Sequence, residues 1–132
     1  MAHILLVEPD ISLGRLYASS LELSGYSVSH CRTAQDAITS ADENIPDLVL
    51  LEIEIAIHNG IEFLYEFRSY PEWQDIPLLI VSHVVPSRGA LNPKSWGLLK
   101  ISGYHYKPIT KLQDLLSSVE RVLATDDIKA LR

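Results

Sequence analysis

The chain has 132 residues, with 11 Lys and Arg against 17 Asp and Glu and a formal net charge of −6. With 47% hydrophobic and 21% charged residues it has the composition of one folded domain, and the acidic balance argues against a surface built to coat nucleic acid. The single cysteine, Cys31, excludes an intrachain disulfide and a multi-cysteine zinc site. No apolar run approaches the about 20 residues of a membrane span, and the start MAHILLVEPD lacks a signal-peptide pattern, so the expectation is a cytoplasmic protein with no membrane contact.

The first apolar run, His3 to Val7, predicts a strand buried on both faces, followed by a turn at Pro9-Asp10. Leu13, Leu16, Tyr17 and Leu21 then keep helical spacing until Ser24-Gly25 stops the helix. Asp10 is read as its N-cap. Tyr26 to Cys31 alternates apolar and polar residues, which predicts a half-exposed strand near a sheet edge. Thr33 can cap a second helix with the stripe Ala34, Ala37, Ile38 and Ala41.

Leu48 to Leu51 is a uniformly apolar strand ending at Glu52, and Asn59-Gly60 leads into a third helix that Pro71 ends. The fourth strand runs from Pro77 to Val81 and ends at Ser82. The stretch from Val84 to Leu99 holds Pro86, Gly89, Pro93 and Gly97 and shows little period, with helix expected only around Lys94 to Leu99. The fifth strand, Ile101 to Tyr106, ends at Lys107-Pro108, and the last helix carries Leu112, Leu115, Leu116, Val119, Val122 and Leu123. Residues 1–124 form the domain, and 125–132 are expected as a helix end or tail.

Strands alternating with helices predict an α/β fold, a doubly wound five-stranded parallel sheet with helices on both faces. The flavodoxin-like order 2-1-3-4-5 puts the alternating second strand at an edge. In such sheets function gathers beyond the carboxyl ends of the strands. Glu8, Glu52, Ser82 and Lys107 stand there: two carboxylates, a hydroxyl and an ammonium converging on one rim. His58, His83 and His105 lack metal-ligand spacing and are read as loop or surface histidines, and Cys31 as inert. For Trp96, core packing is favoured over exposure to a partner.

ILLVEPD at the first strand end, DLVLLE followed by Asn59-Gly60, LLIVS at the fourth strand and GYHYKP at the fifth resemble the receiver domain of two-component response regulators, over roughly residues 2–124. An aromatic three residues before Lys-Pro, here Tyr104 before Lys107, is typical of that family. The resemblance implies an acidic pair after strand one that holds Mg²⁺ and an aspartate after strand three that accepts a phosphoryl group from a histidine kinase. It also implies a Ser or Thr and a Lys that contact the phosphoryl oxygens, and a strand-five aromatic that rotates inward on phosphorylation. On this pattern Ser82 and Tyr104 take the switch places, although Ser82 also reads as an ordinary strand-end hydroxyl.

Two central positions depart from the pattern. Glu52 stands in the phosphoacceptor place, and Pro9 replaces the second acid of the metal pair, leaving Glu8 as a weak metal ligand. A glutamate carboxylate reaches about 1.5 Å further than that of an aspartate, and a displacement of about 1 Å can cost phosphoryl transfer about 10²-fold. The expectation is therefore a pseudo-receiver that is no enzyme, needs no cofactor and signals by protein contact. Its Glu52 would pair with Lys107 and accept a hydrogen bond from Ser82, either mimicking the phosphorylated state or merely neutralising Lys107. The alternatives are a receiver still phosphorylated slowly and, behind that, a small flavodoxin-like enzyme, for which residues 8–14 offer only Gly14 as a phosphate loop. The expected partner is a histidine kinase, an output protein or a second copy, docking on the face of helix four, strand five and helix five.

Overall fold

A computed structural model describes residues 1–55, 59–85 and 93–130, with side chains at 93, 95 and 126–130 left aside. The strands are β1 (His3–Val7), β2 (Ser27–Cys31), β3 (Leu48–Leu51), β4 (Leu78–Ser82) and β5 (Ile101–Tyr106). The helices are α1 (Ile11–Leu23), α2 (Ala34–Glu43), α3 (Gly60–Ser69), α4 (Pro93–Leu99) and α5 (Leu112–Ala130), with short 3-10 turns at Pro71–Trp73 and Lys107–Ile109. The sheet order is β2-β1-β3-β4-β5, with every neighbouring pair parallel, as the sequence predicts.

Successive strand residues point to opposite faces, so a strand buried on both sides feeds two cores. Leu5, Val7, Val49, Leu51, Leu78 and Ile80 pack with Phe63, Phe67 and Trp73 on the side of α2, α3 and α4. Ile4, Leu6, Leu48, Leu50, Leu79 and Val81 pack with Tyr17, Leu21, Leu115 and Val119 on the side of α1 and α5. β2 lies at the edge with all five residues half-buried, which explains its alternation. At the other edge the register of β4 and β5 slips between Leu78 and Leu79, and the Ser102 hydroxyl accepts from the Leu78 N–H where the ladder is interrupted.

Local caps fix where the helices start. Asp10 accepts from the Leu13 N–H at 2.8 Å and Thr33 from the Asp36 N–H at 3.1 Å, the two caps read from the sequence. Asn59 does the same for α3, accepting from the Glu62 N–H at 2.9 Å. α5 runs through Thr125 to Ala130, so the backbone of the expected tail is helical as far as it is described.

Gly60 is where α3 meets the strand end that carries Glu52. A Cβ on Gly60 would lie 2.4 Å from the Ile53 Cα and 2.9 Å from the Glu52 carbonyl oxygen, contacts that backbone cannot yield. Gly60→Ala is expected to destabilise the fold by about 1–3 kcal/mol, measured as a lowered urea midpoint. A midpoint equal to wild type would contradict this close approach.

Arg68 joins α3 to the end of α4. It is 9% exposed, and its Nε donates to the Leu99 carbonyl at 2.8 Å, Nη1 to Trp73 at 2.7 Å and Nη2 to Lys100 at 3.2 Å. Lys100 follows α4 with φ of 52°, in the left-handed region that ends a helix. The guanidinium thus satisfies carbonyls that the terminated helix leaves without partners.

Candidate functional site

The parallel ladder seats the two carboxylates side by side. Beyond the last residues of β1 and β3, the Glu8 N–H donates to the Cys31 carbonyl at 2.9 Å and the Glu52 N–H to the Val7 carbonyl at 3.0 Å. Both glutamates are 2% exposed. Lys107, held by the turn after β5, donates from Nζ to Glu8 Oε1 at 2.5 Å and to Glu52 Oε1 at 2.8 Å. The expected Glu52–Lys107 pair is therefore present, and Glu8 shares the same ammonium.

Both carboxylates are bonded further. Glu8 Oε2 accepts from the Asp10 N–H at 3.0 Å and Glu52 Oε2 from the Glu54 N–H at 3.1 Å. His83 also lies on Glu52: its backbone N–H donates to Oε1 at 3.3 Å and its Nδ1 at 2.8 Å. The other ring nitrogen, Nε2, meets Glu54 Oε2. His83 is an exposed residue past the end of β4, as read from the sequence, and its ring also bridges a buried carboxylate to a surface one. The signal was its place directly after Ser82, since a residue one step past a strand end shares that rim.

Burial pushes the Glu52 pKa up, but hydrogen bonds from Lys107, from Ser82 and from the Glu54 backbone, with the Lys107 charge, hold it below the ordinary 4.5. Burial lowers that of Lys107, and the hydrogen bonds and charges of Glu52 and Glu8 outweigh it, leaving it above 10.5. Glu52 then contributes stability that is complete above 4.5 and lost as pH falls through its lower folded value. Lys107 contributes stability that is complete below 10.5 and lost as pH rises through its higher folded value. Urea midpoints across pH are expected to fall at both ends of that window, and to lose the Lys107 component at the alkaline end in Lys107→Met.

Ser82 is fully buried, and its Oγ accepts from the Val84 N–H at 3.1 Å. Tyr104 donates from its phenol to the Val84 carbonyl at 2.5 Å. Its ring stacks on Trp96 of α4, with centroids 5.9 Å apart and planes 12° from parallel. Trp96 is half-buried and spends its packing on that tyrosine. The reading of His105 as a loop or surface histidine is corrected: it lies in β5, half-buried against α5, with Nε2 at 2.8 Å from the Ser118 Oγ. Cys31 is half-buried and its thiol pKa is raised, by burial first, in keeping with an unreactive side chain. His58 lies outside the described residues, as do 86–92 in the irregular stretch before α4.

A rim of acid, acid, hydroxyl and lysine on this sheet order agrees with a comparison at the sequence level: the response regulator receiver domain family matches residues 4–120. The chain belongs to that receiver family. The receiver is 29% identical over 82 residues to the KDP operon transcriptional regulatory protein KdpE of Escherichia coli, covering 62% of this chain and 35% of that protein. It is 26% identical over 122 residues to the transcriptional regulatory protein PrrA of Mycobacterium tuberculosis, covering 92% and 49%. The chain thus spans about a third to a half of these curated relatives. Among solved structures, the CheY-like receiver domain protein from Methanospirillum hungatei superposes with a TM-score of 0.86 at 20% identity, over 98% of each chain. The non-phosphorylated HemR receiver domain from Leptospira biflexa does so with 0.80 at 28% identity, over 93% and 94%. Among the described residues no helix of this receiver is long and apolar enough to cross a membrane.

The turn between β1 and α1, where the family pattern puts its metal pair, is tied down by β2 and the residue that follows it. His30 donates from Nε2 to the Glu8 carbonyl and Arg32 from Nε to the Pro9 carbonyl, both at 2.9 Å. α1 lies so close that a Cβ on Gly14 would be 2.0 Å from the His30 ring. Neither clamp was read from the sequence. The residues present do not fit the Mg²⁺ of the family pattern. Pro9 offers no carboxylate, the inward oxygens of Glu8 and Glu52 share the Lys107 ammonium, and Asp10 is turned to cap α1. Among the described residues no three acidic, histidine or cysteine side chains form a set able to hold a metal.

Proposed function

We propose that this receiver works without phosphoryl transfer, as a protein-binding module whose active-site state is set by Glu52. The observation that carries the reading is the Glu52 side chain, 1% exposed, with its carboxylate already engaged by Lys107 and His83. A carboxylate in that state is a poor nucleophile for phosphorus, because attack would require it to leave a buried ammonium and to be desolvated of its donors.

The same bonds supply what a phosphoryl group would supply. In the resembling family, the strand-four hydroxyl and the strand-five lysine close on phosphoryl oxygens, and the strand-five aromatic then turns inward. Here Lys107 closes on a glutamate carboxylate that reaches further than that of an aspartate, and the Tyr104 phenol is bonded inside, on Val84. These contacts support Glu52 as a built-in mimic over Glu52 as a mere neutraliser, since the carboxylate engages His83 as well as Lys107. The binding face is that of α4, β5 and α5, to which Trp96 and Tyr104 belong and on which Leu98 stands 70% exposed. Its partner is a kinase, an output protein or a second receiver.

Affinity capture from the source cell tests the proposal with wild type, Glu52→Asp and Glu52→Ala. The specific partner is expected to be retained by wild type and reduced in both variants, with Ala reduced more. Equal capture by all three would overturn the mimic.

A further inference from the structure

We infer that His83 is a positioning residue, the link through which the Glu52 carboxylate sets the Tyr104–Trp96 platform of the binding face. This inference rests on the reading of Glu52 above and names the side chain that carries its effect.

Glu52 and Trp96 belong to different layers, and no bond joins them. Three contacts do so in sequence. The His83 ring donates from Nδ1 to Glu52 Oε1 at 2.8 Å, and the His83 backbone N–H reaches the same oxygen at 3.3 Å. Glu52 is held ionised, so its oxygen can only accept, and the proton of this bond lies on Nδ1. Two bonds from one residue to one atom fix both the ring and the backbone of His83. Val84 is the next residue, and its carbonyl accepts the Tyr104 phenol at 2.5 Å. Tyr104 in turn stacks on Trp96 at 5.9 Å. A displacement of His83 therefore moves the acceptor that holds Tyr104, and with it the ring on which Trp96 lies.

The Ser82 hydroxyl, buried at the same rim, is the candidate for a second route. It accepts the Val84 N–H, so its own geometry depends on where Val84 lies. Val84 is thus common to both routes, and only His83 ties it directly to the carboxylate by side chain and backbone together. The Nε2 contact runs to Glu54, whose side chain is 62% exposed, and an exposed partner of this kind adds little hold.

The test follows the Trp96 indole N–H resonance by ¹⁵N-edited NMR in the full chain, assigned with Trp96→Phe. Glu52→Ala and His83→Ala are each expected to shift it in the same direction, with His83→Ala giving at least about half the Glu52→Ala displacement. The double variant is expected to go no further than Glu52→Ala alone, because both substitutions cut one chain of contacts. His83→Asn keeps a donor at the Nδ1 position and is expected to restore most of the wild-type shift, and Glu54→Ala to leave it in place. If Glu52→Ala moves the resonance while His83→Ala does not, the link through His83 is wrong and the reading of Glu52 stands. If Glu52→Ala itself leaves the resonance unmoved, both fail. If Glu54→Ala matches His83→Ala, the ring is held from the surface and the inference is overturned.

Discussion

Lys107→Met is expected to destabilise the domain by about 3–5 kcal/mol at neutral pH, seen as a large drop in the urea midpoint. Glu8 and Glu52 share this one ammonium, and their side chains are 3% and 1% exposed. Removing it leaves two buried carboxylates facing each other with no cation between them, and water cannot reach them to compensate. Methionine keeps most of the stem, so little of the loss would come from packing. The sign of the pH response distinguishes this cause from a packing defect. Without Lys107, the pKa of at least one carboxylate rises, through burial and through its neighbour's charge. A raised carboxylate pKa makes the folded state bind protons more readily than the unfolded one, so the variant regains stability as the pH falls toward that value. Recovery on mild acidification is therefore expected in Lys107→Met and not in wild type. A loss below about 1 kcal/mol would mean the cluster is solvated and weak.

Arg68→Met is expected to cost about 3 kcal/mol or more. Its three donors serve the carbonyls of Leu99, Trp73 and Lys100, and the first two bonds lie in fully buried surroundings. Each carbonyl left without a partner costs about 1–3 kcal/mol, and the apolar replacement supplies no donor. The effect also reaches function, because these bonds hold the carboxyl end of α4, the helix that carries Trp96. Hydrogen exchange would show where the loss falls. Amides of α4 and β5 are expected to lose protection before those of β1 and β3. Uniform loss across the sheet would contradict a local role at α4.

The elements were legible because each strand advertises its burial. Leu48 to Leu51 is apolar without interruption since β3 is the middle strand with helices on both faces, and Tyr26 to Cys31 alternates since β2 is an edge. The rim was legible for a topological reason. Parallel strands deliver their carboxyl ends to one side, so Glu8, Glu52, Ser82 and Lys107 could be grouped before any distance was known. What escaped were side chains whose role depends on a partner far away in sequence. Nothing around Arg68 says that its guanidinium turns inward to end a helix 31 residues later. His83 is at the surface as its place in the sequence predicts, but its contact with Glu52 depends on the register of β3 against β4. The polar stretch from Thr125 reads as a helix end or a tail, and since it contains no glycine or proline nothing local stops α5 before Ala130.

The most direct measurement is the intact mass of the full chain after incubation with phosphoramidate or acetyl phosphate and Mg²⁺, with peptide mapping of any modified species. A Glu52 carboxylate already committed to Lys107 and His83 predicts an unchanged mass, with the Tyr104 and Trp96 resonances also unmoved by the donor. A covalent acyl phosphate on Glu52, formed with a shift of those resonances, would contradict it.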